Sequence, residues 1–201
     1  MQLARVAVAG WVVAAVVVAT ATGCGNGHNN VSSSSTATTS SAGSSVTAPT
    51  SGQAPDYGAL LIKPNDIGGD FNAPQPPVQN PNNATGVAQL FTSADRSRRI
   101  GDTILVFGDP AEALAGIDST KANYAGKVSG TWEPVDVGSN GTLISGTSAD
   151  NSQAITVLLF AEGRALVNLE FDSAANDPVD PGVATDIGHK QDIAIKTALT
   201  G

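Results

Sequence analysis

The sequence predicts an α+β domain in which an antiparallel sheet of five to six strands carries two main helices packed on one face. Short segments rich in Val, Ile, Leu and Phe recur between turn signals, which is typical of strands. Two longer segments each begin with an Asp-Pro pair, a common helix start. Because the order runs strand, strand, helix, strand meander, helix, it favours an antiparallel sheet.

The first part of the domain has two predicted strands after a long loop. Residues 57–62 form a short apolar stretch, which ends at Lys63-Pro64 because the residue before proline avoids helical geometry. Residues 68–86 hold four prolines and many Asn and Gly residues, and this composition predicts an extended loop. The strands follow at residues 87–92 and 100–107.

A helix is predicted to begin next to Asp109. Asp109 suits the N-cap, Pro110 the first helical position and Glu112 the third. Gly126 can end the helix. One face carries apolar residues at helical spacing, namely Leu114, Ile117 and Tyr124.

A strand meander and a closing helix complete the domain. Ser139-Asn140-Gly141 suits a tight hairpin turn, because Asn and Gly accept positive φ angles, and Glu162-Gly163 suits a second turn. The meander strands are predicted at residues 128–137, 142–147, 154–160 and 164–171. Residues 156–160 lack polar alternation and suit a strand buried on both faces. The closing helix takes Asp180 as N-cap and Pro181 as its first residue, with an apolar face of Val183, Ile187, Ala194, Ile195 and Ala198.

The first 24 residues have the pattern of an export signal. Arg5 is followed by an unbroken apolar run over residues 6–20, which is short for a membrane span, and then by Ala21-Thr22-Gly23-Cys24. This ending resembles the lipobox of bacterial lipoproteins. The resemblance implies a signal peptide over residues 1–23 and a diacylglycerol on Cys24, with further acylation such as palmitate on its new amino group. An uncleaved anchor and ordinary secretory cleavage are the alternatives, and all three place the domain outside the cytoplasm.

Residues 24–55 are predicted to be a disordered tether. No Asp, Glu, Lys or Arg occurs in residues 25–55, and 14 of the 20 residues in 32–51 are Ser or Thr. Such a segment buries too little apolar surface to fold. Random-coil scaling gives it a reach of about 30 Å. Residues 56–201 then form a single domain, long enough for one core.

Composition excludes several classes of function. The net charge of −8, or −9 without Arg5, argues against nucleic acid as a partner. A single cysteine excludes an internal disulfide and a cysteine-based metal site. The sequence contains no glycine-rich nucleotide motif and no G-x-S-x-G elbow. We therefore expect no enzyme and no metal, and no cofactor other than the lipid on Cys24.

The layout carries a second resemblance. A Ser/Thr-rich tether, an opening Leu-Leu-Ile-x-Pro-x-Asp-Ile segment at residues 60–67 and the order strand, helix, meander, helix are similar to small mycobacterial and other actinobacterial cell-envelope lipoproteins. Some of these share a sensor-type fold with the extracellular domains of mycobacterial serine/threonine kinases. Those kinase domains carry disulfides, which this chain cannot form after Cys24, so the resemblance assigns no ligand residues.

Four features of the domain are candidates for chemistry. Arg96, Arg98 and Arg99 are the one basic cluster, and they suit either an anion or partner contact or a solvated strand edge. His189 is the only histidine of the domain, so a hydrolase would have to use it, although a surface position on the closing helix is the expectation. Trp132 suits either a sugar contact or the core. The fourth feature is an acidic stretch, which suits either a weak calcium site or a solvated loop with a helix cap. Its residues are Asp172, Asp177, Asp180 and Asp186.

The sequence as a whole predicts a lipid-anchored protein on the extracytoplasmic face of a cell membrane. Its expected role is non-enzymatic and sensor-like: it binds an envelope protein or a small apolar ligand. A cleft between sheet and helices, the free sheet face and the loop at 68–86 are the expected places for binding. An envelope lipid carrier is the first alternative, and it requires an apolar cavity of several hundred Å³. A hydrolase using His189 is the second.

Overall fold

A computed structural model describes residues 55–200, and Cys24 and the predicted signal peptide lie outside this part of the chain. The helices are α1 (Pro64–Ile67), α2 (Pro110–Tyr124) and α3 (Pro181–Thr200), and two 3-10 helices lie at Tyr57–Leu60 and Pro81–Asn83. The strands are β1 (Phe71–Asn72), β2 (Val78–Gln79), β3 (Gly86–Ser93), β4 (Arg99–Val106), β5 (Val128–Ser129), β6 (Glu133–Pro134), β7 (Ser139–Ser148), β8 (Gln153–Glu162) and β9 (Ala165–Ala174).

The described strands form one antiparallel sheet in the order β1-β3-β4-β9-β8-β7-β5. β2 also pairs with β3, and β6 with β7, at the two edges. β8 and β9 are joined by a tight turn at Gly163 (φ 54°) and pair along their whole length. The predicted α+β class and the antiparallel sheet are thus confirmed.

The main core lies between one face of the sheet and α3. Leu158 and Phe160 of β8 and Leu169 and Phe171 of β9 point to this side and are fully or almost fully buried. Ile187 and Ile195 of α3 pack against them. Burying a Leu, Ile or Phe side chain contributes about 1.5–3 kcal/mol, so this layer is a large part of what holds the sheet to the helix.

The second core lies on the opposite face, under α2. Val157 and Leu159 of β8 alternate with the residues of the main core, and they pack against Ala113 and Ile117 of α2. The prediction that both main helices pack on one face is therefore wrong. A strand without polar alternation must be covered on both sides, and one helix on each face of β8 does this.

The predicted strand number is also too low. The strands β1, β2, β5 and β6 have two residues each, and segments this short show no hydrophobic alternation. β1 and β2 lie in the segment predicted as a plain loop, residues 68–86, and the predicted strand 128–137 is divided into β5 and β6. Gly130 separates the two, and a Cβ built on it would lie only 2.6 Å from the carbonyl oxygen of Ser145, so the chain crosses close to β7 there.

The predicted turn at Ser139-Asn140-Gly141 is wrong as well. These residues belong to β7, where the pairing register with β8 shifts between Ser139 and Thr142. Asn140 has a φ of 54°, so the Asn-Gly pair takes its positive φ inside a bulge instead of a hairpin turn. The reversal between β6 and β7 lies just before it, at Gly138 (φ 53°).

Both predicted helix starts are confirmed. The Asp109 carboxylate accepts a hydrogen bond from the Glu112 backbone N–H at 2.9 Å, and Pro110 is the first helical residue. The Asp180 carboxylate accepts one from the Gly182 N–H at 2.7 Å. Within residues 55–200 no helix combines the length and the apolar character that a membrane span needs.

The segment before β1 packs along α3, and we call residues 57–67 the strap. Leu60, Leu61 and Ile62 are buried in the main core, as is Ile67. Ile67 lines a cavity together with Ile187, and the Gln191 amide donates to Leu60 O. The strap therefore lies against the middle of α3.

Candidate functional site

The arginine cluster lies in the hairpin between β3 and β4. Arg98 forms an ion pair with Asp177 at 2.8 Å, and Arg99 with Asp172 at 3.1 Å. Arg96 is exposed in the turn itself and has a φ of 61°. Two of the three guanidinium groups are thus occupied by carboxylates of this chain, so an external anion would have to compete with them.

The acidic stretch is therefore divided among separate structural roles. Asp172 and Asp177 pair with the arginines, and Asp180 caps α3. Asp186 is exposed on α3. Among the described residues no group of three or more His, Cys, Asp or Glu side chains is arranged to hold a metal ion.

His189 and Trp132 are placed differently from each other. His189 is exposed on α3, as expected of a surface histidine. Trp132 is half-buried, and its ring lies edge-on to that of Tyr124 at a centroid distance of 6.1 Å. The Lys121 ammonium lies 5.8 Å from the Trp132 ring centroid, within range of a cation–π contact. Trp132 thus closes the edge of the second core.

A polar network lies beside Trp132, on the same face of the sheet as α2. The Tyr124 hydroxyl lies 2.6 Å from Glu170 Oε2 and 3.1 Å from Asn168 Oδ1. Burial and the neighbouring Glu170 charge raise the pKa of Asp172 to about 6, although Arg99 acts in the opposite direction. Burial and Glu170 also raise the pKa of Tyr124. The network satisfies its own hydrogen bonds, so its evident role is to support the end of α2.

Two hairpins share a motif that sequence reasoning missed. The hexapeptide Thr-Ser-Ala-Asp-x-Ser occurs at residues 92–97 and again at 147–152. In each copy the Asp carboxylate accepts hydrogen bonds from both flanking serines, which lowers the pKa of Asp95 and of Asp150 to about 2. The residue after each Asp has a positive φ. A direct repeat of this kind is visible in the sequence and marks the same turn at the same end of the sheet.

An open groove of about 490 Å³ lies between the strap and α3, and we call it the strap groove. Its apolar residues are Ala59 and Leu61 of the strap and Ile193, Ala194 and Ala198 of α3. Ile193 is 62% exposed, an unusual position for a large apolar side chain. The polar rim consists of Lys63, Asp66, Lys190 and Thr197. Sequence reasoning missed this groove because the strap was expected to be only a short apolar stretch before a loop.

A second cavity, of about 50 Å³, lies where the strap meets the start of α3. Phe171, Ile187 and other apolar side chains line it, and Arg98 and Arg99 lie at its edge. This volume is about that of one or two water molecules, so it is too small for a lipid chain.

Asp102 on β4 is the most unusual titratable group of the domain. It is fully buried on the main-core side, and both of its carboxylate oxygens lack a hydrogen-bond partner among the described residues. Burial raises the pKa of Asp102 to about 8. Sequence reasoning missed this residue, although the alternation of a strand puts Asp102 on the same face as Ile100 and Ile104.

No protein-family model matches the chain, and a search of curated proteins found no match. Among solved structures, the extracellular domain of PknH from Mycobacterium tuberculosis is similar, with a TM-score of 0.47 and 11% sequence identity. The match covers 69% of this chain and 94% of that one. The function proposed for this chain rests on its own residues.

Proposed function

We propose that this chain is a lipid-anchored extracytoplasmic module of a bacterial cell envelope, and that it binds an amphiphilic envelope ligand without catalysing a reaction. The strap groove is the observation that carries the binding role. Its volume of about 490 Å³ is in the range of small-molecule sites, which are apolar with a few polar groups. The leader and the lipobox-like Ala21–Cys24 ending support the anchor.

The charges at the rim favour a ligand with an acidic head group. Lys63 and Lys190 carry two positive charges there, in a chain whose charges after Arg5 sum to −9. The Asp66 carboxylate also lies at the rim, where it accepts a hydrogen bond from the Lys63 backbone N–H at 2.9 Å, so the net charge of these three groups is +1. The Lys190 ammonium donates to Asp66 O at 2.6 Å and keeps its charge for a ligand. An apolar chain over Ile193 and Ala194, with an anionic head between the two lysines, matches this distribution.

The test compares two detergents with the same chain and opposite heads, dodecanoate and dodecyltrimethylammonium, in a calorimetric titration. We expect dodecanoate to bind at least about tenfold more tightly than dodecyltrimethylammonium, because only its head complements the lysines. Ile193→Asp should weaken dodecanoate binding by at least about tenfold. Val78→Asp is the matched control, because Val78 is 57% exposed and lies outside the groove.

Three results would contradict the proposal. Equal binding of the two detergents would remove the role of the lysines. Equal loss of affinity in the Ile193 and Val78 variants, or no loss in either, would place binding elsewhere.

The two alternatives find less support in the geometry. A lipid carrier needs an enclosed apolar chamber, whereas the strap groove is an open surface feature and the second cavity is about 50 Å³. A hydrolase needs His189 beside a nucleophile and a carboxylate, whereas His189 is exposed on α3.

A further inference from the structure

Asp102 lies in the middle of the main core, between strands that offer it no charge partner. Across the sheet it faces Gln89 on β3 and Leu169 on β9. The Gln89 amide donates to the backbone oxygens of Gln75 and Leu90. Both oxygens of the Asp102 carboxyl are buried without a partner among residues 55–200.

Two different elements cover this face of the sheet. The strap packs against β3, whereas α3 packs against β8 and β9, and the strap and α3 contact each other. Because β4 lies between β3 and β9, Asp102 lies beneath the seam where the strap meets α3.

Of the elements around Asp102, the strap is held by the fewest backbone hydrogen bonds. β3, β4 and β9 are held in continuous ladders, whereas the strap consists of two four-residue helices and a short connection. Gln191, fully buried on α3, joins it to the helix: its amide donates to Leu60 O at 2.6 Å, and its oxygen accepts from Ile62 N at 3.0 Å. Local opening begins where such restraints are few.

Charged groups on the covering elements lie toward solvent or are paired with one another. The strap carries Lys63 and Asp66, both exposed. On α3, His189 and Lys190 are exposed, and Lys190 donates to Asp66 O at 2.6 Å. At the far end, Lys196 pairs with Asp192 of α3 and Glu162 of β8. On β3 and β9 the side chains of this face are uncharged.

We propose that the strap is a pH-dependent cover of the sheet: it opens as a unit when Asp102 ionises, while the strands and α3 stay folded. A buried carboxylate without a partner is costly, and water reaches it most easily where the strap lifts. Burial raises the pKa of Asp102 to about 8 when the strap is closed, against 3.8 for an ordinary aspartate. Opening therefore becomes easier as pH rises from about 4 to 8, by up to about tenfold per pH unit, and levels off above 8.

Opening would remove one wall of the strap groove, because Ala59 and Leu61 belong to the strap. Loss of ligand at high pH is thus a consequence that rests on the proposed function. The opening itself involves only this chain, and it can be measured without any ligand.

The test is amide hydrogen exchange of the full chain in detergent-free nanodiscs of zwitterionic phosphatidylcholine between pH 5 and 8. Ile62 reports on the strap, and Leu169, which lies in the centre of the sheet, reports on the core. We expect the opening constant of Ile62, which is its exchange rate divided by the intrinsic rate at the same pH, to rise at least about tenfold over this range. At every pH it should stay larger than that of Leu169, which exchanges only through global unfolding. Asp102→Asn should keep the opening constant of Ile62 flat with pH, and Gln191→Ala should raise it at every pH.

An opening constant of Ile62 that does not change with pH in the unsubstituted chain would overturn the proposal, and this result does not depend on any variant folding. Equal opening constants for Ile62 and Leu169 would overturn it too, because the strap would then open only with the whole domain. A pH-dependent rise that persists in Asp102→Asn would show that another group controls the strap. Detergent binding to the groove is measured separately at pH 7 in Asp102→Asn, in which the strap does not open with pH and the dodecanoate head is ionised. Failure of binding there and failure of the pH response are thus distinct results.

Discussion

At the scale of single residues, the burial of Asp102 predicts how the free energy of unfolding changes with pH. This prediction does not depend on whether the strap opens. Its pKa is about 8 in the folded chain and near 3.8 when unfolded, so the unfolded chain binds fewer protons between these values. The free energy of unfolding then falls as pH rises through this window, by up to about 1.4 kcal/mol per pH unit. The cost to the native protein reaches about 4 kcal/mol at pH 7.

Asp102→Asn should remove this cost. We expect the variant to match the native domain near pH 4 and to be more stable by about 1–4 kcal/mol at pH 7. The measurement is urea unfolding of residues 56–201, the compact unit that holds both cores. All other titrating groups are common to both proteins and cancel in the difference. A stability difference that does not change with pH would show that Asp102 is charged, or paired, in the native state.

The role of a single residue could be predicted from the sequence where its hydrogen-bond partner lies only a few residues away in the chain. Asp109 and Asp180 cap helices, and both are readable from the Asp-Pro pairs. The partners of Arg98 and Arg99 lie more than 70 residues away, on β9 and the following loop. No local pattern contains such a pairing, because it depends on the order of strands in the sheet.

At the scale of the elements, the N-cap of α2 is the feature whose contribution can be isolated most cleanly. Asp109 Oδ1 accepts from the Glu112 N–H, and the side chain of Glu112 in turn accepts from the Gly108 N–H at 3.0 Å. Asp109→Ala should lower the free energy of unfolding by about 1 kcal/mol.

Asp118→Ala on the same helix is the control. The Asp118 side chain is 90% exposed and lies 3.9 Å from Lys121, so its ion pair contributes little. Urea unfolding should show no more than about 0.3 kcal/mol for this variant. Equal effects of the two substitutions would mean that α2 is stabilised by its acidic charge rather than by its cap.

The elements that were predicted wrongly have a common physical cause. β1, β2, β5 and β6 exist because a long neighbouring strand offers them backbone partners, and two residues carry no periodic signal of their own. Asn140-Gly141 has the chemistry of a turn, but the same positive φ also suits a bulge, and the pairing of β7 with β8 decides between them. Residues 156–160 did contain the signal for a helix on each face, because both sides of that strand are apolar.

The strap and the groove show the same dependence on the whole fold. Leu60, Leu61 and Ile62 predict a buried segment from their apolar character alone. That this segment lies along α3, and leaves Ile193 open beside it, follows only from where the sheet places both. The sequence predicted a cleft between sheet and helices, whereas the strap groove lies between the strap and α3, so its place in the fold was not anticipated.

At the scale of the whole molecule, charged residues are distributed unevenly along the chain, and this distribution separates the N-terminal segment from the folded domain. Residues 1–55 carry one charge, and residues 56–201 carry all the others. An anchor at Cys24 would join the domain to the membrane through the predicted tether, whose typical end-to-end distance as a random coil is about 30 Å.

Cys24→Ala tests this arrangement in cells. Two or three acyl chains hold a protein at a bilayer far more firmly than one. If the chain is a lipoprotein, all of its acyl chains are attached at Cys24. We expect the variant to leave the membrane fraction and to yield no lipid-modified N-terminal peptide in mass spectrometry. Ser51→Ala, in the predicted tether, is the control and should remain membrane-bound. If Cys24→Ala stays in the membrane with Met1 intact, the apolar run at residues 6–20 is itself the anchor. The groove would then be tethered by an uncleaved helix, with the domain on the same side of the membrane.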